Sequence, residues 1–173
     1  RRIELGFAAR ISPERREELA SRERESRRQA MLDRVYECLR VREPGRALGA
    51  VVAWLDEADP PQWPGDVQAL LVAARAWETP REFVRLLAGL VPVLAARRQV
   101  AAAMSVAEAA LALQGSFAAA DAGTTELLVD YAVQTGRRRT AARLIENFVG
   151  TQAPGSVLPE RLAALRESLR SFA

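Results

Sequence analysis

Apolar residues recur every three or four positions along most of the chain, beginning at Met31. This spacing places them on one face of a helix, whereas a strand would alternate apolar and polar residues. Segments that contain proline or glycine separate the apolar stripes. The pattern therefore predicts an all-α fold of about seven to eight antiparallel helices, with helices near 46–58, 66–77, 99–113 and 158–172 among them.

The clearest helix pair is predicted within residues 124–149. Thr124 or Thr125 can cap the first helix, and Gly136 provides the left-handed residue that commonly ends one. Because the link is so short, the two helices must be antiparallel with their apolar faces together. The predicted contact face of the first helix is Leu127, Leu128, Tyr131 and Thr135, and that of the second is Ala141, Leu144, Ile145 and Phe148.

This pair resembles a tetratricopeptide (TPR) repeat. Leu128, Gly136, Ala141 and Phe148 fall at spacings compatible with that motif, whereas its Trp-Leu-Gly signature is missing and its closing proline is missing or displaced. Further hairpins are predicted at 31–58 and 66–95, and the helix at 99–113 interrupts the series, so a regular array is not indicated. Two architectures remain open, an irregular TPR-like α-solenoid and a compact helical bundle.

A TPR-like arrangement implies a concave groove lined by the first helix of each pair. On that resemblance, the residues expected to face a partner in the groove are Gln68, Arg75, Glu126, Asp130 and Gln134. The alternative for each of them is an ordinary solvated helix face.

Three local signals lie outside that pair. Thr79-Pro80-Arg81-Glu82 has the form of a capping box that opens a helix, with proline at the first helical position. Pro92, later in the same helical pattern, is expected to kink or end the helix. Trp63 lies in a proline-rich loop, where it is expected to pack onto neighbouring helices or, alternatively, to anchor a ligand.

The excess of positive charge is confined to an N-terminal arm, residues 1–29. This arm holds nine arginines and six acids, a net charge of +3 that equals the net charge of the whole chain. Ser12-Pro13-Glu14 predicts a helix start, and Glu and Arg then alternate so closely that a solvated helix or linker is expected. The predicted domain organisation is this arm followed by a helical domain over 30–173 with a C-terminal capping helix.

The residue types argue against catalysis. The chain contains no histidine, all 25 basic residues are arginine, and Cys38 is the only thiol. It therefore lacks the side chains that most often act as general bases, Schiff-base amines and zinc ligands. We expect no enzymatic activity, no catalytic residues, no cofactor and no metal. The arginine usage suggests a GC-rich, bacterial coding bias, and the single cysteine fits a reducing, cytoplasmic setting.

These observations favour a protein–protein interaction or scaffold module, expected to be the cytoplasmic domain of a larger bacterial protein. Arg1-Arg2 fits the cytoplasmic flank of an upstream membrane helix, as the positive-inside rule would place it. The alternative function is RNA or anion binding through the arm and through Arg137, Arg138 and Arg139. Those three arginines also have a purely structural explanation, because cations offset the dipole at the end of the preceding helix.

Overall fold

The computed structural model describes residues 12–58, 63–77, 80–118 and 121–170, and these residues form an all-helical fold without a strand. The predicted fold class is therefore confirmed. The eight helices are α1 (Pro13–Arg40), α2 (Pro44–Glu57), α3 (Trp63–Arg75), α4 (Pro80–Ala96), α5 (Val100–Gln114), α6 (Ala122–Gln134), α7 (Arg138–Thr151) and α8 (Glu160–Arg170).

Helix α1 runs through the point where the sequence suggests the end of the arm. Ser12 caps it by accepting a hydrogen bond from the Arg15 amide at 3.2 Å, and Pro13 is its first residue. The helix then continues without a break through residues 29 and 30, and its first buried residue is Met31. The change at this point is thus one of burial and not of secondary structure. The expected membrane flank at Arg1-Arg2 lies outside the described residues.

Three helical hairpins account for most of the packing. They are α1–α2, α4–α5 and α6–α7, and each is joined by three residues. The predicted hairpin at 66–95 is wrong, because α4 packs mainly on α5 and only slightly on α3. Helix α3 is the additional helix, and it contacts α5 more extensively than α4. The cause is that α5 covers the apolar face of α4, so α3 has no hairpin partner.

One backbone conformation closes all three hairpins. Arg42, Arg98 and Gly136 have positive φ angles of 59°, 61° and 75°, and each lies in the middle of its link. The amide of the next residue then bonds to a carbonyl five positions back, at 2.9, 2.9 and 2.7 Å respectively. This pattern is a Schellman motif, which satisfies the free carbonyls of the helix end. The prediction of a left-handed Gly136 is confirmed.

Equivalent positions around the three turns also share their packing. Val35, Val91 and Val129 lie eight residues before the N-cap of the second helix, and all three are buried. Fully buried alanines, Ala47, Ala103 and Ala141, lie four residues after it. A small side chain at that point lets the paired helices approach closely. The three hairpins are therefore variants of one structural unit.

The hairpins follow one another in space as they do in sequence. Helix α2 packs on α4, α5 packs on α6, and the terminal helix α8 packs on α7. A single cluster of buried apolar residues runs through these contacts from Met31 to Leu162. Each hairpin thus contacts its neighbours in the chain, as in a solenoid.

The first helix of the central pair differs from the prediction in its cap and its buried face. Asp121 is the N-cap, and its side chain accepts from the Thr124 amide, so neither predicted threonine caps the helix. The predicted face is correct for Leu128, which is buried, and for Tyr131, which is half-buried against the core, but not for the other two residues. Leu127 is 41% exposed and Thr135 is exposed, while the buried residues are Thr125, Leu128, Val129 and Ala132. Thr125 can be buried because its hydroxyl donates to the Asp121 carbonyl.

Helix α4 continues past Pro92 to Ala96, so the proline does not end it. Leu90, Val91 and Leu94 are fully buried on either side of the ring. Their packing stabilises the helix, although proline has no amide hydrogen for the backbone bond. The helix begins at Pro80 as predicted, while Thr79, the predicted capping residue, lies outside the described residues.

Candidate functional site

An open groove of about 760 Å³ lies on the first hairpin. Helices α1 and α2 form its two walls, and Asp66 of α3 also lines it, next to Arg28 of α1. Between Ala20 and Arg34 the groove follows α1 for about 21 Å, at the helical rise of 1.5 Å per residue. We call this surface the α1–α2 groove. It is lined by Ala20, Glu23, Arg24, Arg27, Ala30, Met31, Arg34, Arg46, Gly49, Ala50, Ala53, Trp54, Glu57, Ala58 and Asp66.

The α2 wall combines small residues with one large aromatic ring. Gly49 and Ala53 lie on the side of α2 opposite its buried residues, and the half-buried Ala50 and Trp54 lie between that side and the core. Gly49 and Ala53 are exposed, and a Cβ atom added at Gly49 would meet no atom within 4 Å. A backbone or a small side chain of another molecule can therefore approach this wall closely.

Arginine dominates the charge of the α1 wall. Arg24, Arg27 and Arg34 line it together with a single acid, Glu23, which pairs with Arg27. Arg46 adds a fourth guanidinium from α2, and its partner Glu43 does not line the groove. Solvent-exposed pairs of this kind are worth little in water. These arginines can therefore exchange their present partners for those of a bound molecule.

Asp66 is a buried acid at the α3 end of the groove. Its residue is only 3% exposed, and its Oδ1 accepts a hydrogen bond from Nε of Arg28 at 3.0 Å and lies 2.9 Å from Nη2 of the same guanidinium. Its other oxygen, Oδ2, is buried and has no hydrogen-bond partner among the described residues. Burial raises the pKa of this carboxyl, and the bond and charge of Arg28 oppose the shift. Asp66 joins α3 to α1 and leaves one acceptor unused.

The region beside the groove explains the position of Trp63. This side chain is 7% exposed, its indole nitrogen donates to the Ala58 carbonyl at 3.2 Å, and the Arg97 guanidinium lies 5.3 Å from the ring centre. Arg97 also pairs with Asp56. The tryptophan therefore packs against the neighbouring helices, as expected, and does not extend as an exposed anchor.

The structure separates the residues that were predicted to line a partner groove. Gln68 and Arg75 are exposed on α3, and they do not line the α1–α2 groove. Glu126, Asp130 and Gln134 lie at successive turns of α6. Asp130 pairs with Arg161 of α8, while Gln134 is exposed and Glu126 is half-buried. The terminal helix thus already contacts part of this predicted surface.

The arginine cluster at the third hairpin turn is also partly engaged. Arg137 pairs with Glu108 of α5 at 3.1 Å, and Thr140 donates to the other oxygen of the same carboxylate. Arg138 and Arg139 are exposed. The contact of Arg137 joins the second hairpin to the third, so this residue has a structural role in addition to its charge.

The sequence pattern does not predict the α1–α2 groove, because the residues before Met31 have the pattern of a solvated arm. Two features of the sequence could have indicated it. Ala20 and Ala30 interrupt the charged pattern of α1, and the face of α2 at Gly49 and Ala53 lacks large side chains. Recognising the groove also required knowing that α2 packs alongside α1 with this face outward.

Within the described part of the chain, no group of three or more histidine, cysteine, aspartate or glutamate residues has a metal-binding arrangement. No helix there is both long enough and apolar enough to cross a membrane. Comparison of the chain with protein-family models, with curated proteins and with solved structures gives no match in any of the three.

Proposed function

We propose that this chain is a non-catalytic protein-interaction module, a TPR-like α-solenoid that acts as a scaffold. The observation that carries the proposal is the series of three hairpins with one shared turn, because such units stack into extended surfaces for other proteins. In a bacterial cell it would act in the cytoplasm, as part of a larger protein.

The exposed groove on the first hairpin supports this proposal. Tryptophan and arginine are enriched in protein interfaces, and the half-buried Trp54 and the exposed Arg34 line the groove. Small residues between them allow a partner to approach the helix backbone. The groove is open to solvent along its length, and a polypeptide segment fits such a shape better than a small molecule does.

The alternative of RNA or anion binding has less support. Many arginines of the arm and of the third turn are paired with carboxylates, including Arg22, Arg27, Arg28 and Arg137. A continuous row of phosphates would meet those acids as well as the arginines and would be repelled by them. The excess positive charge is small for a protein that tracks a polyanion.

The test is affinity capture with the full chain and two glutamine variants. Gly49→Gln places a side chain in the groove, whereas Gly45→Gln makes the same change on α2 outside it, where an added Cβ also meets no atom within 4 Å. We expect a specific protein to be retained by wild type and by Gly45→Gln at physiological salt after nuclease treatment. A bound fraction that disappears with nuclease would instead support the RNA alternative. Retention of no protein would refute the proposed function.

A further inference from the structure

Resting on the proposed function, we infer that the α1–α2 groove binds an acidic amphipathic helix of a partner protein, with its small-residue face against α2 and its carboxylates along α1. Three observations carry this inference. They are the dimensions and composition of the α2 wall, the unequal charge of the α1 wall and the unused acceptor of Asp66.

The α2 wall has the properties of a helix-docking surface. From Arg46 to Ala58 it extends about 18 Å, the length of about three helical turns. Its exposed small residues are Gly49 and Ala53, four positions apart, so a second helix can lie against the α2 backbone there. Trp54 at the side of this path provides a large apolar contact of the kind that dominates interface energies.

The charge of the groove indicates that the bound helix carries a net negative charge. Four arginines line it, and of the three acids Asp66 is already neutralised by Arg28. Arg34 and Arg46 lie toward the α1–α2 turn, and the partner of Arg46 there, Glu43, lies outside the groove. An occupant with carboxylates at this end would gain charge-assisted hydrogen bonds. Residues 1–11 of the chain itself carry three arginines and one glutamate, so they have the wrong charge.

Asp66 indicates which end of the bound helix lies near α3. Its buried Oδ2 is an acceptor without a partner among the described residues, and such groups are nearly always satisfied in proteins. The first turn of a helix carries amide hydrogens that lack partners within the helix, and these amides bind anions. The occupant helix therefore has its N-terminus near Asp66 and its acidic residues near Arg34 and Arg46.

The remaining acids of the groove favour a peptide over a nucleic acid or an anionic membrane. Glu23 and Glu57 line the groove beside the arginines, and both would repel a continuous row of phosphates. A helix can place carboxylates opposite arginines and neutral residues opposite Glu57, because its side chains are independent at each turn.

The experiment is a selection from a random library of displayed peptides of about 15 residues, long enough for a helix that spans the groove. The full chain is the target, and each enriched peptide is then measured against four variants. Gly49→Gln and Arg34→Glu change the groove. Gly45→Gln and Arg40→Glu are their matched controls, on α2 and α1 respectively, and neither residue lines the groove.

We expect enriched peptides with a net negative charge and apolar residues at helical spacing. Arg34→Glu should weaken their binding about tenfold, the effect of losing one charge contact of about 1.4 kcal/mol. Binding should be lost in Gly49→Gln and unchanged within about twofold in both controls. A peptide in which only the glutamate that faces Arg34 is replaced by lysine should recover binding to Arg34→Glu.

The opposite outcomes separate the two claims. Enriched peptides that are basic, lack helical periodicity or bind Gly49→Gln as well as wild type would overturn the inference while leaving the interaction function intact. Absence of any enriched peptide would contradict both claims. If phosphatidylglycerol vesicles or poly(U) bind in an Arg34-dependent manner and no peptide is enriched, the groove is an anion site and the inference is wrong.

Discussion

Two glycines in helix interiors should respond in opposite directions to the same substitution. Gly49 lies on the exposed wall of α2, where an added Cβ would meet no atom within 4 Å. Gly89 lies in α4, where an added Cβ would be only 2.6 Å from Cδ2 of Leu48 on α2. A real Cβ does not approach another carbon so closely, so Leu48 or a backbone must move.

The magnitudes follow from two competing effects. Alanine in place of glycine within a helix stabilises the fold by about 0.5–1 kcal/mol, because glycine loses more backbone entropy on folding. At Gly49 nothing opposes this gain, so Gly49→Ala should raise the unfolding free energy by that amount. At Gly89 the overpacking cost of about 1–3 kcal/mol applies as well. Gly89→Ala should therefore lower the stability by up to about 2 kcal/mol.

Urea denaturation followed by circular dichroism measures both changes. For a chain of this size, 1 kcal/mol corresponds to a shift of about 2–4 °C in the melting temperature. The Leu48→Ala background provides the control, because removing the Leu48 methyl groups removes the clash. There Gly89→Ala should become as stabilising as Gly49→Ala, with a coupling energy of about 0.5–3 kcal/mol.

One result would refute this reasoning. If Gly89→Ala stabilised the wild-type background as much as Gly49→Ala does, the close approach of α2 and α4 at Gly89 would be incorrect. The docking of the first hairpin on the second would then need another explanation.

Three further substitutions test other contacts by denaturation. Asp121→Ala should lower the unfolding free energy by about 0.5–2 kcal/mol at pH 7 because it removes an N-cap. Hydrogen bonding lowers the pKa of Asp121, so the stabilisation by this carboxylate should be lost as pH falls through the lowered pKa, and a difference that does not change with pH would contradict its role as the N-cap. Asp66→Asn keeps an acceptor for Arg28 but removes a buried charge, and because burial raises the pKa of Asp66, the variant should be more stable than wild type at pH 7. The two stabilities should converge in acid as the wild-type carboxyl is protonated, and a difference that widens in acid would contradict this prediction. Asn147→Ala leaves the buried amide of Phe117 without its 3.0 Å acceptor and should cost about 1–3 kcal/mol, and a change below about 0.5 kcal/mol would show that this bond is unimportant.

Local signals in the sequence determined most helix positions and several buried faces. The hydroxyl of Ser12 and the ring of Pro13 start α1, and Gly136 ends α6, because these effects involve only neighbouring residues. The apolar stripe of α7 was also predicted correctly, since Ala141 and Phe148 and the residues predicted between them are all buried. Large aliphatic residues at helical spacing leave only one face that can be buried.

The tertiary structure decided which faces meet. Periodicity defines an apolar stripe but does not identify its partner, and the links before and after α4 are both short. The packing of α4 on α5, and not on α3, determined which two helices form the hairpin. The positive φ angles of Arg42 and Arg98 also could not be predicted from the sequence, because this conformation costs a non-glycine residue about 1–2 kcal/mol and no neighbouring residue indicates it. The hydrogen bonds of the Schellman motif and the packing of the paired helices, with an alanine four residues after each cap, compensate for that strain.

The α1–α2 groove likewise required the tertiary structure. Gly49, Ala53 and the arginines of α1 are far apart in the sequence pattern and become one surface only when α2 folds back along α1. Composition alone established that catalytic histidine and lysine are absent. The residues that form a binding surface depend on long-range helix contacts, and those contacts are set by burial of the whole core and not by any local preference.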